Sequence, residues 1–128
     1  MNVCVEYLYR DAANYKSWGE VVFGNECDLD ISKIEDRIRA ALIDGEFFVA
    51  EEVGVPVLYF ESHDDELDHQ WHEFSAITPS NDPVSDAENR DIVEFVDLLS
   101  AGRKELDVTV LAISSTLSVA DRQPHLPA

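Results

Sequence analysis

The order of apolar patterns along this chain predicts an α+β fold: a mostly antiparallel β-sheet with two amphipathic helices packed on one face. Three observations lead there. Short runs rich in Val, Tyr, Phe and Trp read as strands. Two longer segments repeat their apolar residues at helical spacing. Taken in sequence they give the order β-β-α-β-β-β-α-β, in which strands follow one another directly.

The first run, "NVCVEYLYR", alternates so that Val3, Val5, Tyr7 and Tyr9 share one face, with Cys4, Glu6, Leu8 and Arg10 on the other. "DAANYKS" reads as a loop, and "WGEVVFGN" as a second strand paired with the first in a hairpin. "DISKIEDRIRAALIDG" is the clearest helix. Ser32 and Glu35 form a capping box, Ile34, Ile38, Ala41 and Leu42 form one stripe, and Gly45 follows as a left-handed C-cap. "EFFVAEEV" and "VLYFE" read as a third and a fourth strand, the latter short and at an edge because of Pro56. "HQWHEFSAI" is a fifth. "TPSNDPVSDAEN" reads as a linker. Ser85 and Glu88 make a second capping box ahead of "NRDIVEFVDLLSAGRKEL", where Ile92, Phe95, Val96 and Leu99 align. "DVTVLAISSTL" is strand-like. The expected organisation is a compact core over 1–79, a helix–strand appendage over 80–118 packed on it, and a tail over 119–128.

The chain has 128 residues and a net charge of −18, from 27 acids against 9 bases. The imbalance is concentrated. Residues 51–100 hold fourteen acids and a single base, Arg90. Such a field repels a nucleic-acid backbone or an anionic membrane and attracts a basic protein surface. No apolar stretch is long enough to span a bilayer. Met1–Arg10 lacks the basic and apolar regions of a secretory signal, so a cytoplasmic protein is expected. Cys4 and Cys27 match no zinc or redox spacing, and both are expected to be reduced.

The chemistry-bearing stretch is "HDDELDHQWHEF", which interleaves His63, His69 and His72 with carboxylates. The spacing matches no sharp metalloenzyme motif and no EF-hand loop. Read as a strand, it turns His69, Trp71 and Glu73 one way and Asp68, Gln70, His72 and Phe74 the other, so the two histidines face apart. No nucleophile elbow and no glycine-rich phosphate loop is present, and no cofactor is expected. The rings of Tyr7, Tyr9, Tyr15, Trp18 and Phe23 read as hairpin packing rather than as a base-stacking platform.

The segments "YLYRDAANYKSWG", "DGEFFVAEEVGVP" and "WHEF" together resemble a group of small acidic bacterial proteins with no assigned function. The likeness covers residues 3–75. It implies a bacterial cytoplasmic protein, and carries over no activity, ligand or site residue.

The functional expectation is a non-enzymatic binding or regulatory protein that docks on a basic protein surface. A specific version is a nucleic-acid mimic that inhibits a nuclease or a host-defence complex. The contact residues expected are Asp64, Asp65, Glu66, Asp68, Glu88, Asp91 and Glu94. Two alternatives stand beside it. One is a metal-binding module or metal-dependent enzyme built on His63, His69, His72 and Glu73. The other is a homodimeric scaffold joined through an uncovered strand edge or the second helix.

Overall fold

The structure, a computed structural model, describes residues 1–64 and 68–102. Four strands form one antiparallel sheet: β1 (Asn2–Arg10), β2 (Lys16–Phe23), β3 (Phe47–Val49) and β4 (Trp71–Ser80), in the spatial order β2-β1-β4-β3. Helix α1 (Ile31–Ala41) follows β2, and helix α2 occupies residues 92–102. The strand-like segment 107–117, the tail and the interior of the acidic loop at 65–67 lie outside the described residues.

The fold is α+β, with both helices on one face of the sheet. The alternation of β1 decides which face. Val3, Val5 and Tyr7 meet Val21 and Phe23 of β2, Phe74 and Ile77 of β4 and Phe48 of β3 in one buried cluster. Ile34, Ile38 and Ala41 close it from α1, and Ile92, Phe95 and Leu99 from α2. The second helix therefore buries its stripe in the same core as the first, with Phe95 stacked on Phe23 at 4.7 Å between ring centroids. The far end of the inner face is covered differently. Segment 55–60 lies across it, held by Tyr7 Oη donating to the Pro56 carbonyl at 2.7 Å. The end of the Leu58 side chain packs directly over Gly19, where a Cβ would stand 2.9 Å from it.

Five local expectations are corrected. β3 stops at Val49, and Ala50–Val53 turns into a 3-10 helix closed by left-handed Gly54. Strand alternation from Phe48 would have put Glu52 inside, whereas the 3-10 turn buries Ala50 and Val53 and leaves Glu51 and Glu52 in water. "VLYFE" is not a strand: the Leu58 N–H donates to the His72 ring and the Phe60 carbonyl accepts the His63 N–H in a turn, with no ladder formed. β4 runs on through Thr78, Pro79 and Ser80, where a linker was expected. β3 reaches only Trp71–Glu73, so β4 is an edge by Pro79 and the missing N–H costs no ladder bond. Neither expected capping box forms. Ser32 Oγ bonds to Asp30, the N-cap residue of α1, and Ser85 Oγ accepts the Val22 N–H. Gly45 is not the cap of α1: the helix ends at Ala41 with Leu42 as an extended C-cap, and the left-handed Asp44 and Gly45 form the turn that follows, before β3.

Among the described residues, no helix is long and apolar enough to cross a membrane.

Candidate functional site

The histidine-rich stretch lies at the Arg10 end of β1. β4 begins at Trp71, and its alternation sends His72 and Phe74 to the inner face and Trp71 and Glu73 to the outer one. The three histidines nevertheless gather around one residue, Tyr9, which is fully buried at the inner end of β1. Its ring centroid stands 5.1 Å from His69, 5.2 Å from His72 and 5.8 Å from His63. Tyr59 completes the group, edge-on to Tyr9 at 5.0 Å and stacked flat on His63 at 3.8 Å. Tyr9 and Tyr59 are the members that motif reading missed. Tyr9 was findable, because the β1 alternation places it inside beside the strand that carries His72.

Proximity does not make this group a metal centre, because the ring nitrogens are already engaged. His72 is completely buried. Its Nε2 accepts the Leu58 N–H at 3.0 Å, and its Nδ1 faces the Gln70 carbonyl at 3.2 Å. A carbonyl can only accept, so Nδ1 carries the proton and the Nε2 lone pair belongs to Leu58. Burial holds this imidazole below its ordinary pKa, and the neighbouring His69 and His63 act in the same direction. His69 takes the opposite tautomer. Its Nε2 donates to the Arg10 carbonyl at 2.7 Å, and its Nδ1 accepts the Trp71 N–H at 3.1 Å. In both rings the lone pair a metal would need is spent on main chain. His63 Nδ1 lies 3.4 Å from Tyr9 Oη and 3.9 Å from Asp68 Oδ2. Glu73 points away from all three and forms a two-pronged pair with Arg10 at 2.9 and 3.3 Å. Among the described residues, no three His, Cys, Asp or Glu side chains converge as metal ligands.

Tyr9 Oη donates to the His69 carbonyl at 2.8 Å, and burial pushes the phenol up to about 12. It stays protonated near neutral pH, with its proton directed at that carbonyl. Cys4 sits half-buried on the outer face with its thiol 3.4 Å from Glu20. Burial, then the hydrogen bond and charge of Glu20, push it up to about 11, which removes it as a nucleophile. Cys27 is exposed.

The expected contact carboxylates fall into two groups. Asp64 is exposed, and Asp68 closes the same loop by accepting the Asp64 N–H at 2.9 Å; Asp65 and Glu66 lie outside the described residues. Glu88 and Glu94 are exposed at the other end of the molecule. Asp91 between them is committed inward: Oδ1 accepts the Glu26 N–H at 2.8 Å and Oδ2 the Val93 N–H at 3.1 Å, which caps α2. The Gly24 N–H donates to the Arg90 carbonyl and the Ile92 N–H to the Gly24 carbonyl, which fixes this group beside the start of β1. The two groups are thus separated by the length of β1, roughly 25 Å for nine extended residues.

Arg90, the lone base of residues 51–100, is only 6% exposed. Its guanidinium grips Asp86 through two bonds of 2.8 Å and donates to the Val53 and Gly54 carbonyls at 2.8 and 3.1 Å. Those bonds hold the Asp86 carboxyl below the usual carboxylate range. The one positive charge of the stretch is cancelled inside the protein, so its exposed charge is carboxylate alone.

No family model matches the chain, and no curated protein and no solved structure matches it either.

Proposed function

We propose that this is a non-enzymatic acidic binding protein that docks on a basic protein surface, in the manner of a nucleic-acid mimic that inhibits a nuclease or a host-defence complex. The observation that carries the reading is the fate of Arg90. Arg90 is the only base that residues 51–100 hold, and it is paired to Asp86 in the interior with its Nε 3.7 Å from Glu88, so this stretch brings no second cation to its exposed carboxylates. A field of one sign attracts a basic partner at long range and rejects acidic ones. The engagement of His69, His72, Tyr9 and Asp91 with main chain supports a binding role over a catalytic one, since it leaves these groups no capacity for substrate. The two exposed groups, at Asp64 and at Glu88 and Glu94, suit a partner whose cationic surface extends over roughly 25 Å, as a nucleic-acid groove does.

The test is capture of partners from a bacterial lysate at low salt, elution in a salt gradient, and titration of the eluted protein. Its Kd should rise steeply between about 0.05 and 0.3 M salt, as screening shortens the reach of the charges. A Kd flat over that range removes charge docking altogether. DNA should compete for the same partner. Salt-sensitive binding without that competition leaves docking standing and removes mimicry. Glu88→Gln with Glu94→Gln, and Asp64→Asn, should each weaken binding without lowering the melting temperature.

A further inference from the structure

The sheet has two edges, and they are treated differently. β3 offers three residues before the chain turns away into its 3-10 helix. β2 is eight residues long, and among the described residues only its Val22 end is covered. Val22 N–H donates to Ser85 Oγ at 2.8 Å, and the Val22 carbonyl accepts from the Ser85 and Asp86 N–H groups. Main-chain groups of an antiparallel strand point to alternate sides, so Lys16, Trp18 and Glu20 present theirs to the same outer side as Val22. No described residue bonds to them there. Their side chains stand together on the sheet face opposite the core, all exposed, with Trp18 at 57%.

We infer that this open half-edge is a self-pairing surface that joins β2 to β2 of a second copy of the chain, antiparallel about a two-fold axis at Trp18. The sequence Lys16-Ser17-Trp18-Gly19-Glu20 reads as its own complement. With Trp18 opposite the partner's Trp18, Lys16 falls opposite the partner's Glu20, and Glu20 opposite the partner's Lys16. Each of these pairs joins residues whose main-chain groups already point outward, so the hydrogen-bond phase and the charge pattern select the same register. A shift by two residues loses at least one of the Lys–Glu pairs.

Cross-strand neighbours inside the monomer supply the second argument. Within the hairpin Glu20 is directly opposite Glu6, and Lys16 directly opposite Arg10. Like charges in that position repel. Arg10 finds relief in Glu73, whereas among the described residues Glu20 is bonded only by the neutral Cys4 thiol. A second copy would place an opposite charge on the open side of each like-charged pair and lay two indoles across the seam. This pairing is independent of acidic docking, since neither Lys16 nor Glu20 belongs to the carboxylate groups proposed for it.

The experiment is sedimentation equilibrium of the full chain from about 1 μM to about 1 mM, near physiological salt so that the overall repulsion is screened. The expected mass rises to twice 14.4 kDa. Lys16→Glu sets Glu against the partner's Glu20 twice over and should raise the dimer Kd about tenfold or more. The same variant is complementary to Arg10 within its own hairpin, so the monomer stays folded. Lys16→Glu with Glu20→Lys rebuilds both intersubunit pairs in reverse and should restore the wild-type Kd. A wild-type mass of 14.4 kDa throughout overturns the inference and leaves the edge to another occupant, such as residues 103–128. A dimer indifferent to Lys16→Glu, or not rescued by the swap, overturns it too.

Discussion

The two ends of β1 solve one problem in opposite ways. Each holds residues that build catalytic sites elsewhere, and each commits the buried ones to partners inside the fold. At the Arg10 end the polar groups are imidazoles, and the fold keeps His72 uncharged by giving one ring nitrogen a donor and the other an acceptor. At the Asn2 end the groups are full charges, and the fold keeps them charged by setting Arg90 against Asp86 and filling the remaining guanidinium donors with the Val53 and Gly54 carbonyls. The difference teaches how to read such clusters: what matters is where each lone pair and each proton already goes, not which residue types are near one another.

The comparison can be broken most severely at the charged end. Asp86→Ala leaves the Arg90 guanidinium buried without its counter-ion, and should cost about 3–5 kcal/mol in urea unfolding. A loss under about 1 kcal/mol would mean that water reaches the guanidinium, and the two ends would then not be comparable as interiors. Next comes His72→Ala, which removes the acceptor of the Leu58 N–H and opens a cavity in the interior, and should cost about 2–4 kcal/mol. His72→Gln, which can still accept and donate, should retain most of that stability.

Acid titration separates the ends by pH window. The folded His72 has a pKa below its unfolded value, so the unfolded chain binds more protons as pH drops through about 6.5. Stability therefore declines below that point by up to about 1.4 kcal/mol per pH unit until the folded pKa is reached. Thermal melts from pH 7 to 5 should show this slope in the wild type and a flatter one in His72→Gln. Asp86 has the reverse sign. Its folded pKa is depressed, so its contribution is full above the unfolded value near 4 and is lost only as pH falls through the folded one. Equal slopes for wild type and His72→Gln would show that His72 is solvated. The smallest effect is expected at the half-exposed Arg10–Glu73 pair on the outer face, where Arg10→Ala should change the unfolding free energy by no more than about 1 kcal/mol, less still in high salt.

Much of the fold was legible because burial repeats at a fixed period. The inner set Val3, Val5, Tyr7 and Tyr9, the α1 stripe and the α2 stripe are all visible as spacing, and all but the half-buried Val96 are buried in the structure. Segment 46–61 was not legible in this way. "EFFVAEEVGVPVLYFE" has the composition of two strands, but the core needed Ala50 and Val53 on one side, a spacing of three, and then needed Leu58 across Gly19 as a cover rather than as a ladder strand. Ser85 failed as a cap for a related reason. Its hydroxyl is taken by Val22, which is sixty-three residues away in sequence and has no local signature.

By itself, the sequence determined the sheet-and-helix class, the face of each regular element that turns inward and the one-signed charge of residues 51–100. These depend on side-chain period and on counting, both local properties. Only the tertiary structure decided that Tyr9 gathers three histidines, that His69 and His72 give their lone pairs to main chain, that Arg90 disappears into Asp86, and that Lys16, Trp18 and Glu20 turn their main chain to an edge that no described residue pairs with. Each of these turns on which distant groups fill a hydrogen-bonding position. That is settled when the elements pack, because a buried polar group must find its partner in whatever part of the chain arrives beside it.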